Sequence, residues 1–152
     1  MTTVAAPVLR PARPGDLDAI ARLLTASSLP LDGVAESLAA FVVAEADGRL
    51  VGVAGLEICR DNALIRSLAV DPAWRSHGIG RALVTRVIFD AEARGIRGLY
   101  LLTTTAERYF PSFGFRAIAR DAVPDDVRAT AEFQDACPAS ATVMCRACAG
   151  EV

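Results

Sequence analysis

The sequence predicts a mixed α/β protein with one sheet layer, in which strands outnumber helices. Apolar runs of strand length outnumber helical patterns, which indicates that the sheet is the main layer. Two of these runs flank Asp47-Gly48, a dipeptide typical of a tight hairpin. Another run stops at Asp71-Pro72 and leads into the best amphipathic helix of the chain. These three observations predict the fold class.

The elements follow one another with no internal repeat and no interdomain linker. The clearest helix prediction covers 79–94, because apolar residues recur there at helical spacing and Gly95 follows as a C-cap. The other predicted elements are strands at 8–11, 62–70, 98–104, 115–119 and 140–148, a hairpin over 41–58, helices at 16–25 and 106–112, and one or two helical turns within 123–138.

Length and composition limit the domain count and the partners. The 152 residues suit one domain, so we expect a single domain over 1–152 with flexible ends at 1–7 and 149–152. The net charge of −2 argues against a general nucleic-acid binder. No apolar run approaches the roughly 20 residues of a membrane span, and the first residues do not resemble a secretory signal. We therefore expect a cytoplasmic protein that binds neither nucleic acid nor membrane.

The chain has four cysteines. Cys145 and Cys148 form a CxxC pair, but no second pair accompanies them, and a structural zinc ion usually takes four ligands. We therefore expect no metal site, and reduced thiols that pack as small apolar side chains. A soft site for arsenic(III) is the alternative.

A candidate anion site lies at the start of the predicted helix over 79–94. The first amides of a helix have no partner within it, and the helix dipole adds positive potential there. Gly78 and Gly80 let a ligand approach the backbone closely, and Arg75 and Arg81 add positive charge. This arrangement predicts a cradle for a pyrophosphate. A helix start with glycine for tight packing is the alternative.

The cradle sequence and its surroundings resemble a known family. Neither GxGxxG nor GxxxxGK[ST] occurs, whereas RSHGIG fits R-x-x-G-x-G and is preceded by SLAVDPAW. This run resembles the acetyl-CoA-binding motif of the GNAT superfamily of N-acetyltransferases. The segment LRPARPGDLDAIARLL is similar to the first strand and helix of that family, and LYLLTTTAERYFPSFGF to its fifth strand and fourth helix. The resemblance covers most of the chain.

A narrower resemblance concerns the acceptor. LIRSLAVDPAWRSHGIGRAL, LYLLTTTAERYFPSFGF and ATAEFQDACPASA together resemble the arsenic-resistance-operon N-acetyltransferases. These are similar in turn to the acetyltransferase domain of amino-acid (glutamate) N-acetyltransferases. The subgroup implies a small amine as the acceptor.

The superfamily resemblance implies an α/β (α+β) fold, with a mixed, mostly antiparallel sheet of about six to seven strands flanked by helices on both faces. It also implies acetyl-CoA as cosubstrate and no metal. The strand around 68–70 would splay from the strand around 101–103, and the pantetheine arm would pair with the exposed backbone in that gap. The pyrophosphate would rest on amides from Ser76 to Arg81, and Thr103 would contact pantetheine or cap the next helix. The resemblance also implies that the last strand can pair across a homodimer. The predicted coenzyme contacts are Leu68, Ala69, Val70, Arg75, Ser76, His77, Gly78, Ile79, Gly80, Arg81 and Thr103.

Acetyl transfer requires proton movements. The residues that commonly serve as acid and base in the GNAT superfamily are replaced in this sequence. The usual tyrosine acid falls on Phe110, which cannot donate, and Tyr109 is the neighbouring candidate for an accessory acid. The positions that often carry a glutamate base read Leu64 and Arg66. Glu57 is the nearest candidate base. The alternatives are that Glu57 is a solvated charge at the end of a strand, or that water relays the proton to a backbone carbonyl.

Arg66 indicates the kind of acceptor. By strand alternation it shares a face with Leu64, Leu68 and Val70. A guanidinium would repel a polyamine and attract a carboxylate, phosphinate or arsinate through its fork of donors. We therefore assign Arg66 and Ser67 to acceptor binding. A surface ion pair of Arg66 with Asp61 or Glu57 is the alternative.

The sequence thus predicts an acetyl-CoA-dependent N-acetyltransferase. The expected acceptor is the amino group of a small acidic amino-acid-like molecule, glutamate or a phosphinic or arsinic analogue. Two other functions stay open. One is a degenerate GNAT protein that senses CoA without turnover, and the other is a thiol-based arsenic-binding protein.

Overall fold

The computed structural model describes residues 6–104, 106, 108–130, 133 and 141–147. The chain divides into two compact units, one within 1–55 and 67–87 and the other within 56–66 and 88–152. The expectation of a single domain over 1–152 stays a prediction. So do the flexible ends, which lie largely outside the described residues.

The described residues contain one seven-stranded sheet, which confirms the predicted fold class. Its strands are β1 (Val8–Pro11), β2 (Phe41–Ala46), β3 (Arg49–Cys59), β4 (Asn62–Val70), β5 (Gly98–Thr103), β6 (Arg116–Ile118) and β7 (Thr142–Ala147). The strand order is β1-β2-β3-β4-β5-β7-β6. Four strand pairs are antiparallel (β1–β2, β2–β3, β5–β7 and β6–β7), and β4–β5 is parallel. The α-helices are α1 (Leu17–Ala26), α2 (Ile79–Ala93) and α3 (Asp125–Arg128).

The first unit packs helices on both faces of its strands. Neighbouring residues of β3 point to opposite faces. Val53 joins a buried cluster with α1 residues such as Leu24. A Cβ on the preceding Gly52 would lie only 3.0 Å from both Ile79 and Leu83 of α2. The glycine therefore lets α2 approach the sheet closely.

The turns that bound these elements follow their sequence signals. Asp47 and Gly48 have φ values of 52° and 77°, and two successive left-handed residues are typical of the hairpin turn that Asp-Gly predicts. Gly95 has a φ of 76°, and the Ile96 amide donates to the Ala91 carbonyl over 3.0 Å. This is the glycine C-cap predicted for α2.

The second unit has one departure from the predicted elements. The helix expected over 106–112 is wrong, because a 3-10 helix over Phe110–Phe113 stands there instead. Pro111 has no amide proton to donate along an α-helix, and Gly114 ends the turn with a φ of 92°. Phe110 is buried and packs edge-on against Phe115, with ring centroids 5.8 Å apart. Aromatic packing therefore fixes this segment.

Candidate functional site

The loop between β4 and α2 begins with a capped turn. The Asp71 carboxylate accepts a hydrogen bond from the Ala73 amide over 2.9 Å, and its backbone carbonyl accepts one from the Trp74 amide over 2.8 Å. These bonds close a 3-10 turn over Pro72–Trp74. The sequence marked Asp71-Pro72 only as the end of a strand, whereas the Asp-Pro signal also describes this capped turn.

The predicted cradle itself contains two left-handed residues. Ser76 has a φ of 68° and Gly78 a φ of 78°. Residues 75–78 are all exposed, and a Cβ on Gly78 would meet no atom within 4 Å. The Gly78 carbonyl accepts the Ala82 amide over 3.0 Å, so the hydrogen bonds of α2 begin at this residue. The backbone at the N-terminus of α2 is therefore open to an anionic ligand.

β4 carries an irregularity that the sequence did not predict. Ser67 is buried and has a φ of 62°, in a strand that is otherwise extended. The alternation expected to place Arg66 on one face with Leu68 and Val70 therefore does not carry across Ser67. Period-two sequence patterns contain no signal for such a residue.

Beyond Ser67, the predicted pantetheine contacts lie in the first unit. Ala69 is buried in the cluster that contains Ile20 and Leu24, while Leu68 and Val70 are half-buried. In the second unit, β4 and β5 pair in parallel over three residues, from Asn62 opposite Gly98 to Leu64 opposite Tyr100. The splay of the later residues of the two strands stays a prediction.

Arg66 and Glu57, both in the second unit, are paired with each other. The Arg66 Nη1 donates to Glu57 Oε1 over 3.0 Å. None of the Arg66 side chain is exposed, whereas 19% of the Glu57 side chain is. The ion pair is one of the two alternatives that the sequence left open for Arg66, but it is buried rather than on the surface. The candidate base Glu57 and the candidate acceptor clamp Arg66 therefore form one ion pair, which is buried at the guanidinium and reaches solvent at the carboxylate.

Two further predicted site residues lie in the second unit. Thr103 Oγ1 accepts the Ala106 amide over 2.9 Å, but the helix over 106–112 that it was expected to cap is not formed. Tyr109 is half-buried, and its ring packs edge-on against Phe110 and Phe113 at 5.3 Å in each case. The coenzyme and acid roles of these residues stay predictions.

The described cysteines are free thiols in the second unit. Burial raises the pKa of the Cys59 thiol to about 11, and the nearby charges of Glu57 and Asp126 act in the same direction. Cys145 is half-buried. Cys137 and Cys148, and with them the CxxC pair, lie outside the described residues. Within the described ranges, no three His, Cys, Asp or Glu side chains are grouped so that they could hold a metal ion.

Known proteins define the class of this chain. The model of the acetyltransferase (GNAT) domain matches residues 37–117, which is just over half of the chain. An amino-acid acetyltransferase of Mycobacterium tuberculosis is 34% identical over 131 residues, which cover 80% of this chain and 75% of that protein. The chain therefore belongs to the GNAT acetyltransferase family, whose reaction is N-acetyl transfer.

Solved structures agree with the fold. N-acetylglutamate synthase from Neisseria gonorrhoeae, complexed with coenzyme A and L-arginine, has a TM-score of 0.80 and 26% identity. The match covers 96% of this chain but 34% of the synthase. Rv2747 from Mycobacterium tuberculosis, in complex with CoA, has a TM-score of 0.77 and 28% identity, with 93% of this chain and 99% of that one covered. The chain thus spans nearly all of Rv2747 and about a third of the synthase.

No helix in the described part of the chain is long and apolar enough to span a membrane.

The open backbone at Gly78 generates a test with a matched control. Gly78 and Gly95 have φ values of 78° and 76°, and a Cβ on either residue meets nothing within 4 Å. Alanine should therefore cost both positions a similar backbone strain of about 1–2 kcal/mol. Calorimetric titration should show that Gly78→Ala binds CoA at least about tenfold more weakly. Gly95→Ala should lose stability alone, and equal CoA affinities in the two variants would contradict the cradle.

Proposed function

We propose that this chain transfers the acetyl group of acetyl-CoA to the α-amino group of a small acidic amino-acid-like acceptor. Glutamate and its phosphinic and arsinic analogues are the candidate acceptors. The observation that carries the acceptor class is the buried Arg66–Glu57 pair. The 34% identity to an amino-acid acetyltransferase supports the same class.

The loop at the start of α2 is the proposed coenzyme site. Acetyl-CoA would supply an acetyl thioester that is already activated toward an amine. Two related structures are complexes with CoA, which supports this cosubstrate. Backbone amides at the N-terminus of α2 would hold the pyrophosphate, with Arg75 and Arg81 exposed beside them. Gly78 has no side chain that could cover that backbone, and its surroundings are open.

The Arg66–Glu57 pair is the proposed acceptor site, together with Ser67. An α-amino acid carries an ammonium and a carboxylate, and the pair presents one group complementary to each. Glu57 is the partly exposed member, so it would meet the ammonium first. The acceptor carboxylate would then reach the Arg66 guanidinium as the pair opens.

The same residues account for the proton movements. The transfer forms a carbon–nitrogen bond and breaks the carbon–sulfur bond, so the ammonium loses two protons overall and the thiolate leaves. Glu57 is the proposed acceptor of the first proton, because carboxylates serve as general bases when they reach the reacting nitrogen. Tyr109 is the proposed accessory acid. A thiolate also leaves without an acid, so Tyr109 is not essential.

A panel of amines tests the acceptor class directly. The chain is incubated with acetyl-CoA and one amine at a time, and the products are identified by mass spectrometry. L-Glutamate or one of its phosphinic or arsinic analogues should be acetylated, while spermidine should not, because Arg66 repels a polycation. Acetylation of spermidine in preference to every amino acid would contradict the proposal. CoA binding without turnover of any amine would favour the sensor alternative.

Substitution of Arg66 tests its contact with the acceptor. Arg66→Leu should raise the KM for glutamate ten- to a few hundred-fold, which corresponds to about 1–3 kcal/mol for a charged hydrogen bond, and leave the KM for acetyl-CoA unchanged. Arg10→Leu is the control. Arg10 also forms ion pairs, with Asp16 and Glu45, but it is not assigned to the acceptor site or to the coenzyme site.

Because Arg66→Leu leaves Glu57 half-buried without its partner, the double variant Glu57→Gln/Arg66→Leu is measured as well. It removes both charges and preserves the fold where the single variant fails. A folded variant without Arg66 and with an unchanged KM for glutamate would exclude Arg66 from the acceptor site.

Tyr109→Phe tests the acid. The substitution removes only the hydroxyl and keeps the ring that packs against Phe110 and Phe113. We expect kcat to fall by less than about tenfold, since an accessory acid contributes little when the thiolate leaves unaided. Steady-state rates with glutamate measure the effect. A loss of about a thousandfold would make Tyr109 the main acid instead.

A further inference from the structure

His77 is exposed, yet its side chain is hydrogen-bonded to the backbone of its own loop. The imidazole Nδ1 lies 3.1 Å from the Trp74 carbonyl and 2.9 Å from the Arg75 carbonyl. The ring also lies 5.7 Å from the Trp74 indole, measured between centroids. These contacts all lie within the first unit.

The partners of Nδ1 fix where its proton is. Both are carbonyl oxygens, which only accept hydrogen bonds, so Nδ1 carries the proton and donates to them. One donor shared between two acceptors is a bifurcated bond.

The two accepted carbonyls set the direction of the amides that follow them. In a trans peptide, the C=O and N–H groups of one peptide plane point in opposite directions. The Arg75 carbonyl points toward the His77 ring, so the Ser76 amide in the same plane points away from it. The amide of Arg75 is directed inward to the Pro72 carbonyl, at 3.4 Å. The Ser76 amide is therefore the first of the loop to be aimed by His77.

The backbone at Ser76 needs such support. Its φ of 68° is a left-handed conformation, which costs a residue with a Cβ about 1–2 kcal/mol. Gly78 reaches the same region without that cost. The bond from His77 to the Arg75 carbonyl spans the peptide immediately before Ser76, and thus acts where the strain lies.

We propose that His77 is a positioning residue for the coenzyme pyrophosphate, through the hydrogen bonds of its Nδ1 to the Trp74 and Arg75 carbonyls. The bonds hold the Ser76 amide toward the ligand before the ligand arrives. His77 itself needs no contact with the reacting atoms. This inference rests on the proposed coenzyme site and names a residue that makes that site ready to bind.

Three variants separate this role from a simple effect of size or charge. The side-chain amide nitrogen of asparagine corresponds in position to Nδ1, whereas that of glutamine corresponds to Nε2. His77→Asn should therefore retain CoA affinity, while His77→Gln and His77→Ala should bind CoA about three- to tenfold more weakly, the equivalent of one hydrogen bond. Calorimetric titration measures the affinities, and the exposed position predicts nearly unchanged melting temperatures.

The ligand provides a second control. S-Acetylpantetheine lacks the pyrophosphate, so its KM should be the same in the wild type and in all three variants. Equal losses for acetyl-CoA and S-acetylpantetheine would mean that the loop has collapsed, and would overturn the inference. Wild-type CoA affinity in His77→Ala, or equal affinities in His77→Asn and His77→Gln, would overturn it as well. A wild-type chain that does not bind CoA would instead overturn the proposed function.

Discussion

The proposed acceptor site depends on a buried ion pair between Arg66 and Glu57. No part of the Arg66 side chain is exposed, and a guanidinium removed from water is tolerated only when charged or polar groups face it. Such pairs add little net stability, since an apolar pair of similar volume often serves the fold as well. The loss of either member is costly, however, because the other charge then remains buried. The pair is thus better explained by what it can bind than by what it stabilises.

The proposed coenzyme site depends on a different constraint, which lies in the backbone. Ser76 and Gly78 both adopt left-handed conformations within three residues, and α2 begins immediately afterwards. Behind the loop, Gly52 lets Ile79 and Leu83 approach the sheet closely, so the start of the helix is firmly seated. The loop can therefore present its amides from a rigid base. Sites of this kind are precise because the helix, rather than the loop, sets their position.

The sequence predicts most of the fold because the signals for its turns and helix ends are local. Asp47-Gly48 and Gly95 require only their own backbone conformations, which their residue types favour. The failure over 106–112 has a local cause in Pro111 and Gly114, which disfavour an α-helix there. It also has a tertiary cause, since the burial of Phe110 against Phe115 holds the short 3-10 helix. Ser67 is the harder case. Serine has no preference strong enough to reveal a φ of 62° inside an apolar strand, so the facing of Arg66 across it could not be derived. The exposed backbone before α2 was predictable from RSHGIG, but the side-chain bonds of His77 were not.

Because Arg66 and Glu57 carry opposite charges, the proposed acceptor site would select for molecules that carry both an ammonium and a carboxylate. An acceptor that separates the two groups must replace a partner for each of them. An α-amino acid does so, because its ammonium can face Glu57 while a carboxylate faces Arg66. A monoamine would face Glu57 but bring no carboxylate to the buried Arg66 guanidinium, and the loss of one partner of a buried pair costs on the order of 3–5 kcal/mol. A simple carboxylic acid would face Arg66 but bring no ammonium to Glu57, whose carboxylate still reaches solvent and therefore loses less. The proposed site would therefore discriminate against a monoamine more strongly than against a simple carboxylic acid, and more strongly than pocket size alone provides.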